Sequence, residues 1–419
     1  MRPPSSEAAA PYASHREAIL SALRASRFGE SEPIRRVLLI DCWPGAPGQK
    51  HIQAIEHALQ RRRVAARTLT FDRYQIEAQG DAYRRFIEPQ LLKALHAFQP
   101  HLVVSYGYHG SQLVRDDLFH AAPARWLQMV SNICYYNTQY YENEHTGLIE
   151  ENLIPLFRKR GAPHPFFIPL MADYVLPQPV ATSRNLPILF VGNSLALAPA
   201  EREALLAGWR DRPALCRYVQ ESLASLSRVE CPTNMYQLLR EHPIPQIETL
   251  EEEYAVFRFL LCEASAARRC RVLELLVPFG LALFGGDWSN ALTPESPLLG
   301  CLRGRLPIDK DRDAFSHGSV FINIHSIGHV TGANMRFFNA AGMGAFQISD
   351  NPNLSRYLEP DKEIVFFTHE KDCVEKVRYY LAHPNEMDVV RAQAQERIRR
   401  EWSYDRWAEW IAEPMGIRW

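Results

Sequence analysis

Apolar and polar positions divide the chain into two separate series of short apolar runs and longer amphipathic stretches. In the first series, the runs at 36–41, 66–71 and 101–106 have the length of strands. The stretches 49–62 and 83–98 carry apolar residues at helical spacing. This order of strands and helices predicts an α/β fold with a parallel sheet. The same series continues with predicted strands at 124–133 and 164–170 and a predicted helix at 149–160.

The second series follows a proline-rich stretch at 171–185, which is typical of a linker. Its predicted strands are 186–192, 281–284, 320–324 and 345–348. Residues 199–277 have apolar positions every three or four residues and no strand-like run, which predicts a helical insertion. The predicted domains are a tail with one helix at 1–34, a first Rossmann-like domain at 35–170, the linker at 171–185, a second Rossmann-like domain at 186–400 that contains the insertion, and a terminal helical segment at 401–419.

The segment 320–350 is the centre of the second series. Its strand, turn-rich loop, helix at 333–341 and second strand predict a βαβ unit. In such folds ligands bind beyond the carboxyl ends of the strands, where helix N-termini point. Backbone N–H groups, a hydroxyl and a guanidinium suit a diphosphate there, although an ordinary βαβ unit with a polar loop fits the same spacing. The polar residues at this position are His325, Ser326, His329, Thr331, Asn334 and Arg336.

Several motifs in the last third of the chain occur together in one enzyme family. They are Arg336 with Phe338, the helix end Ala340-Ala341-Gly342, Gly344-Ala345-Phe346, Asp350, LFGGDW at 283–288 and WSYDR at 402–406. With these motifs, the region 272–410 resembles the C-terminal domain of CgeB-like (spore maturation protein type) glycosyltransferases, which are similar to the wider GT-B group. The resemblance implies a GT-B fold, in which two Rossmann-like domains face each other across a cleft, and a last segment that often crosses back to the first domain.

The resemblance also implies an activity, the transfer of a sugar from a nucleoside-diphosphate donor to an acceptor. It implies no tightly bound cofactor or metal, because a helix dipole and basic side chains stabilise the leaving diphosphate. Arg336 is the predicted catalytic residue on the donor side. The predicted donor-binding residues are Gly192, Asn193, Gly286, Trp288, His325, Ser326, Arg336 and Asn339.

Asn339 departs from the family pattern. Related sequences usually carry Glu at this position, and in GT-B enzymes that Glu commonly contacts the ribose of the sugar nucleotide. An amide still donates and accepts hydrogen bonds. The departure leaves a second hypothesis open, a non-catalytic GT-B-like protein that uses the fold for binding or assembly. A third hypothesis is an epimerase or phosphorylase on the same fold; a phosphorylase would need a pyridoxal lysine, and the sequence has no motif for one.

The acceptor side is predicted from the first series. His109 stands between glycines beside a strand end and is predicted as a catalytic cleft residue, although a turn histidine without chemistry also fits this position. The aromatic, polar run at 135–145 either lines an acceptor site, because tyrosine faces stack on sugar rings, or packs into the fold at a helix start. The predicted acceptor-side residues are Gly48, in a Gly/Pro loop at 42–48, Tyr140 and Asn143.

Composition narrows the classes of function. The 419 residues carry a formal net charge of −1, so no general attraction to nucleic acid is predicted. The eight cysteines form no Cys-Xaa-Xaa-Cys pair, which predicts free thiols in a reducing cytoplasm and no zinc site. No signal-peptide core or membrane-spanning stretch is evident, and peripheral membrane contact stays open because many glycosyltransferases use lipid-linked acceptors.

Other chemistries lack their motifs. The chain has no Walker A loop, no Gly-Xaa-Ser-Xaa-Gly nucleophile elbow and no His-Glu-Xaa-Xaa-His. His325 and His329 are four residues apart but have no third ligand nearby in sequence, so no metal site is predicted. The donor sugar, the acceptor and the stereochemical outcome are left undefined by these patterns.

Overall fold

The structure, a computed structural model, forms two compact units. Unit 1 comprises residues 1–168 and 404–419, and unit 2 comprises residues 169–403. The structure describes residues 6–26, 32–41, 47–71, 81–107, 113–114, 116–130, 140–173, 185–306, 314–315 and 318–419.

Unit 1 is built on a sheet of six parallel strands. In chain order they are β1 (Arg36–Asp41), β2 (Ala65–Thr70), β3 (Leu102–Tyr106), β4 (Arg125–Val130), β5 (Glu144–Leu148) and β6 (His164–Phe167). Their spatial order is β2-β1-β3-β4-β5-β6. The strands β1 and β3 are apolar because both faces of the sheet are covered, as parallel sheets require.

Helices cover this sheet and close its core. They are α1 (Ser6–Ala25), α2 (Pro47–Arg61), α3 (Asp81–Phe98), α4 (Asp116–Ala121) and α5 (Ile154–Lys159). On one face, Leu20 of α1 and Leu91 of α3 pack with Ile40 and Val103 of the strands. Arg16 fixes α1 by donating to Glu88 of α3 at 2.8 Å and to Asp117 of α4 at 2.7 Å.

Strand β5 was not predicted. The sequence EHTGL carries three polar residues in a row, which hides the strand from a search for apolar runs. It nevertheless pairs in parallel with β4 and β6. Gly147 lets it fit, because a Cβ at this position would come within 2.8 Å of the Ile168 side chain.

Unit 2 is built on a second parallel sheet. Its strands are β7 (Leu186–Val191), β8 (Leu281–Phe284), β9 (Gly318–Asn323), β10 (Phe346–Ser349) and β11 (Val365–Phe366), in the spatial order β11-β10-β9-β7-β8. β9 pairs in parallel with both β7 and β10, so the predicted crossover from β9 to β10 is a parallel βαβ unit.

Between β7 and β8 the chain forms four helices, α6 (Pro199–Trp209), α7 (Pro213–Leu226), α8 (Met235–Glu241) and α9 (Leu250–Glu274). The crossover helix α10 (Met335–Gly342) begins two residues after the predicted start. Asn334 caps it, because its side-chain oxygen accepts a hydrogen bond from the Phe337 N–H at 3.0 Å. The unit ends with α11 (Glu370–Ala382) and α12 (Pro384–Glu401).

The last sixteen residues of the chain belong to unit 1 and contain α13 (Trp407–Ala412). The hydroxyl of Tyr404 lies 2.6 Å from Nδ1 of the buried His51 on α2. Arg62, the residue after α2, donates to Glu409 at 2.7 Å. The backbone N–H of Ile34, just before β1, donates to the Arg418 carbonyl at 2.6 Å.

No helix within the described residues is long and apolar enough to cross a membrane.

Replacing Trp407 by Ala should lower the free energy of unfolding by about 3–5 kcal/mol, the usual cost of deleting a buried large aromatic side chain. Trp407 is 0% exposed, whereas Trp410 on the same helix is half-buried. Urea denaturation of the full chain should therefore show a much smaller loss for Trp410→Ala. Equal losses for the two variants would show that α13 is not packed as described.

Candidate functional site

Three strands of unit 2 end at one edge of its sheet. Gly192 and Asn193 follow β7, Gly285 and Gly286 follow β8, and His325 follows β9. The carboxyl ends of parallel strands meet at the same edge, which is where α/β folds bind ligands. The turns are tied together: the Gly192 N–H donates to the Phe284 carbonyl at 2.7 Å, and the Asn193 side-chain oxygen accepts from the Gly286 N–H at 2.9 Å.

Two arginines lie against one aromatic ring at this edge. The guanidinium carbon of Arg269 is 5.8 Å from the centroid of the Phe190 ring, and that of Arg336 is 5.7 Å from it. Arg269, on α9, donates to the carbonyls of Asn193 at 2.6 Å and Ile324 at 2.9 Å. Arg336, on α10, donates to the Val191 carbonyl. Helices α9 and α10 thus bring two cations to the end of β7.

Arg269 is buried, and no ion pair joins it to a carboxylate in the described part of the chain. Burial, and next the nearby Arg336, lower the pKa of Arg269. A guanidinium nevertheless stays protonated in proteins. Because no carboxylate is paired with this positive charge among the described residues, this edge of the sheet is favourable for an anion.

The glycine at the end of β7 makes room for one of these cations. A Cβ at Gly192 would overlap the guanidinium of Arg336. Gly285 is restricted in a different way, because its φ of +151° is one that L side chains rarely adopt and a Cβ there would overlap the Gly192 carbonyl oxygen. The two glycines allow the β7 and β8 turns to approach closely beneath Arg336.

A buried ion-pair network stands behind the two arginines. Asp350, after β10, is 0% exposed and accepts from Arg268 of α9 at 2.5 Å. It lies 2.8 Å from Nδ1 of His325 and accepts from the His325 N–H. Burial by itself raises the pKa of Asp350, but Arg268 and His325 outweigh it and lower the pKa to about 2. Asp350 is therefore ionised at neutral pH.

Several buried nitrogens at this edge have no hydrogen-bond partner among the residues described. Each of these nitrogens can donate a hydrogen bond. The two histidine nitrogens can do so after a change of tautomer or of protonation state. They are Nε of Arg269, Nδ2 of Asn323, Nε2 of His325 and Nδ1 of His329. Buried polar groups without partners are rare in proteins, and a ligand with acceptor oxygens satisfies such a set.

Of the eight predicted donor-binding residues, all but Asn339 lie at the carboxyl edge of the second sheet. Gly192, Asn193, Gly286, His325, Ser326 and Arg336 lie at the carboxyl edge of the second sheet. Trp288 lies there too but is 2% exposed; its Nε1 donates to the Gly192 carbonyl at 2.9 Å and its ring packs edge-on against Phe190. Trp288 therefore supports the turn and the aromatic ring.

Asn339 is the predicted donor-binding residue that lies away from this edge. It lies further along α10, is 2% exposed, and its side-chain oxygen accepts from the Asp173 N–H at 3.0 Å. This amide oxygen holds the start of the chain segment that leads into β7. The hydrogen bond gives Asn339 a structural role.

The predicted acceptor-side residues are less well defined by the structure. His109 lies outside the described residues. Gly48 lies in the first turn of α2, which begins at Pro47, and not in the loop predicted there. Tyr140 is half-buried and Asn143 is exposed in the turn before β5.

A buried polar row crosses three strands of the first sheet. Ser105, Gln128 and Thr146 are register partners on β3, β4 and β5, and each is at most 3% exposed. Both side-chain polar atoms of Gln128 and the Thr146 hydroxyl have no hydrogen-bond partner among the described residues. Sequence analysis missed this row because β5 was not predicted.

Arg268 and Arg269 were also missed. A short basic cluster such as Arg268-Arg269 usually lies on a solvated helix face, but both of these side chains are buried. A signal exists in the sequence: Arg268 continues the four-residue spacing of Val256, Leu260 and Ala264, which form the buried stripe of α9. An arginine on such a stripe must find a buried partner.

In the described part of the chain, no group of three or more His, Cys, Asp and Glu side chains is arranged to hold a metal ion.

Comparison with known proteins gives one family and a set of similar folds. A family model described as glycosyl transferase-like matches residues 258–413. No curated protein matches the chain. Among solved structures, T4 phage BGT in complex with UDP and Mn²⁺ is 7% identical over 91% of this chain and 100% of its own, with a TM-score of 0.51.

Two further structures are similar at lower scores. Sucrose-phosphate synthase from Thermosynechococcus elongatus is 12% identical over 90% of this chain and 98% of its own, with a TM-score of 0.47. TarM of S. aureus is 10% identical over 75% of this chain and 54% of its own, with a TM-score of 0.41, so this chain spans about half the length of TarM.

The two parallel α/β sheets and the likeness to BGT confirm the predicted GT-B fold class. The match to a glycosyl transferase-like family model over residues 258–413 supports the prediction that the chain is an enzyme of the glycosyltransferase class.

Replacing Gly285 by Ala should destabilise the protein by roughly 1–3 kcal/mol, because the new side chain needs a strained backbone and overlaps the Gly192 carbonyl. Gly208 on α6 is a matched control, since a Cβ there meets nothing within 4 Å. Gly208→Ala should be neutral or stabilising by up to about 1 kcal/mol. Thermal or urea unfolding compares them, and a neutral Gly285→Ala would contradict the close approach of the two turns.

Proposed function

We propose that this protein transfers a sugar from a nucleoside-diphosphate donor, bound at the carboxyl edge of the second sheet, to a hydroxylated acceptor. The observation that carries the proposal is the pair of arginines over Phe190. The guanidinium carbons of Arg269 and Arg336 lie 5.8 and 5.7 Å from the centroid of that ring, and Arg269 has no carboxylate partner among the described residues. A diphosphate supplies the missing negative charge.

The proposed catalysis depends on where negative charge develops during sugar transfer. When the bond between the anomeric carbon and the donor oxygen breaks, negative charge develops on the leaving diphosphate. Cations fixed in advance stabilise that charge more in the transition state than in the ground state. Arg336 is half-buried and reaches the site from the start of α10, where backbone N–H groups add to the positive potential. We therefore assign Arg336 to the leaving group.

We assign the acceptor to unit 1 on the basis of the chemical character of its buried polar side chains. Gln128 and Thr146 present buried polar atoms without partners among the described residues, and amides and hydroxyls hydrogen-bond sugar hydroxyls. These residues support a hydroxylated acceptor better than Gly48, Tyr140 or Asn143 do. His109 stays a prediction as the catalytic residue on this side.

The finer assignments are proposals too. The CgeB-like subtype is supported by the motifs around Arg336 and Asp350. A reducing cytoplasmic location, with or without peripheral membrane contact, is supported by the free thiols among the described cysteines. No tightly bound cofactor is part of the proposal, because the two arginines supply the charge that a metal ion would supply.

A non-catalytic binding protein is the second candidate. The observation that favours it is Asn339, whose side-chain oxygen already accepts from Asp173. An amide used in this way offers the ribose only its donor group. On this alternative the protein binds the nucleotide without turning it over.

The first test is calorimetry with UDP and GDP, followed by a donor screen that detects nucleotide-sugar hydrolysis by mass spectrometry. We expect one of the two nucleotides to bind and one donor to be hydrolysed. Binding without hydrolysis of any donor would favour the non-catalytic candidate. Failure to bind either nucleotide would contradict the donor site itself.

Replacing Arg336 by Ala should leave the fold intact and lower turnover by roughly 10²- to 10³-fold, the scale of losing one contact to developing negative charge. Arg336→Lys should recover only part of the loss, because a point charge replaces a planar fork. Steady-state kinetics measures both variants, with circular dichroism to confirm folding.

The matched control is Arg378→Ala, which removes an exposed arginine on α11 and should leave turnover unchanged. Wild-type turnover in a folded Arg336→Ala protein would remove Arg336 from the site.

A further inference from the structure

One carboxylate fixes the ring of His325. Oδ1 of Asp350 lies 2.8 Å from Nδ1, and the His325 N–H donates to the two carboxylate oxygens at 3.1 and 3.0 Å. An ionised carboxylate only accepts, so Nδ1 carries the proton. Nε2, on the opposite edge of the ring, is then the nitrogen that can gain a second proton.

Among the described residues, the charged groups near this ring are one anion and three cations. Asp350 is the anion, and Arg268 compensates it from the other side at 2.5 Å. Arg269 from α9 and Arg336 from α10 both disfavour a positive charge on His325. The neighbouring His329 adds no charge at neutral pH, because burial and the His325 ring lower its pKa to about 3.

Nε2 of His325 is buried and has no hydrogen-bond partner among the described residues. Burial lowers the pKa of His325, so without an anion at this edge the ring is neutral at pH 7. A diphosphate between Arg269 and Arg336 reverses the electrostatic balance, because it cancels the two cations that oppose protonation.

The geometry points to His325 as the proton donor to the leaving diphosphate, with Asp350 as its positioning residue. This inference rests on the proposed function and adds a proton-transfer step to it. Asp350 orients the ring, fixes its tautomer and balances the imidazolium charge. Arg268 keeps Asp350 ionised.

Donor binding draws one proton from solvent onto Nε2. The bond between the anomeric carbon and the phosphate oxygen breaks, and its electron pair stays on that oxygen. The acceptor oxygen bonds to the anomeric carbon and loses its proton to solvent. Nε2 gives its proton to the diphosphate, which leaves as the monoprotonated species, and the ring returns to neutral.

The experiment measures proton uptake when UDP or GDP binds to the full-length protein. Calorimetry in buffers of different ionisation enthalpy gives the number of protons bound. The terminal phosphate of the nucleotide itself titrates near pH 6. The informative quantity is therefore the difference in proton uptake between wild type and His325→Gln. We expect wild type to take up as much as one proton more. Its affinity relative to His325→Gln should rise as the pH falls from 8.5 to 6.5, by up to about tenfold per pH unit.

Two more variants test which residue takes up the proton. His329→Gln should keep the extra uptake, because His329 has no carboxylate partner among the described residues. Asp350→Asn should lose it if the variant folds; if it does not fold, His325→Gln decides alone. Equal uptake by wild type and His325→Gln, or loss of the difference in His329→Gln, would overturn the assignment.

The outcomes separate the two proposals. Nucleotide binding without an uptake difference overturns the role of His325 and leaves the proposed function standing. If wild type binds neither UDP nor GDP, the donor site and the proton donor fail together.

Discussion

Asp350 is the residue on which the organisation of unit 2 depends. Its carboxylate joins the turn after β10 to the turn after β9 through His325, and to helix α9 through Arg268. Arg268 in turn donates to the Glu230 carbonyl, in the loop between α7 and α8, at 2.5 Å. Removing one partner of a buried pair leaves an uncompensated charge, which typically costs about 3–5 kcal/mol. One carboxylate therefore couples the insertion helices to the edge of the sheet.

This coupling explains why an insertion far away in sequence contributes to the site. Arg268 and Arg269 are consecutive on α9 and serve opposite purposes. Arg268 is neutralised by Asp350, whereas Arg269 donates to carbonyls at the ends of β7 and β9 and forms no ion pair among the described residues. A buried charge that is satisfied only by carbonyl groups is costly for the isolated protein. Such a cost is understandable where a ligand removes it.

The fold could be predicted from the sequence further than the site could. Apolar runs are strong signals, so β1 and β8 lie where the pattern placed them, and the parallel crossover from β9 to β10 is correct. β5 was missed because Glu144 and Thr146 interrupt the apolar pattern while being buried. Residues that break a pattern and are nevertheless buried need a partner or a ligand, and this is the reason that sequence periodicity fails first near functional groups.

The same limit applies to the donor side. Strand ends and glycines identified the edge of the sheet, because Gly192 and Gly286 mark turns in any α/β fold. Arg269 could not be assigned to it without the structure, since it comes from a helix that is more than fifty residues away from Arg336 in sequence. His325 could be placed at the strand end, but its tautomer depends on Asp350, twenty-five residues later. The residues with the most specific chemistry are therefore defined by long-range electrostatics, which no local pattern encodes.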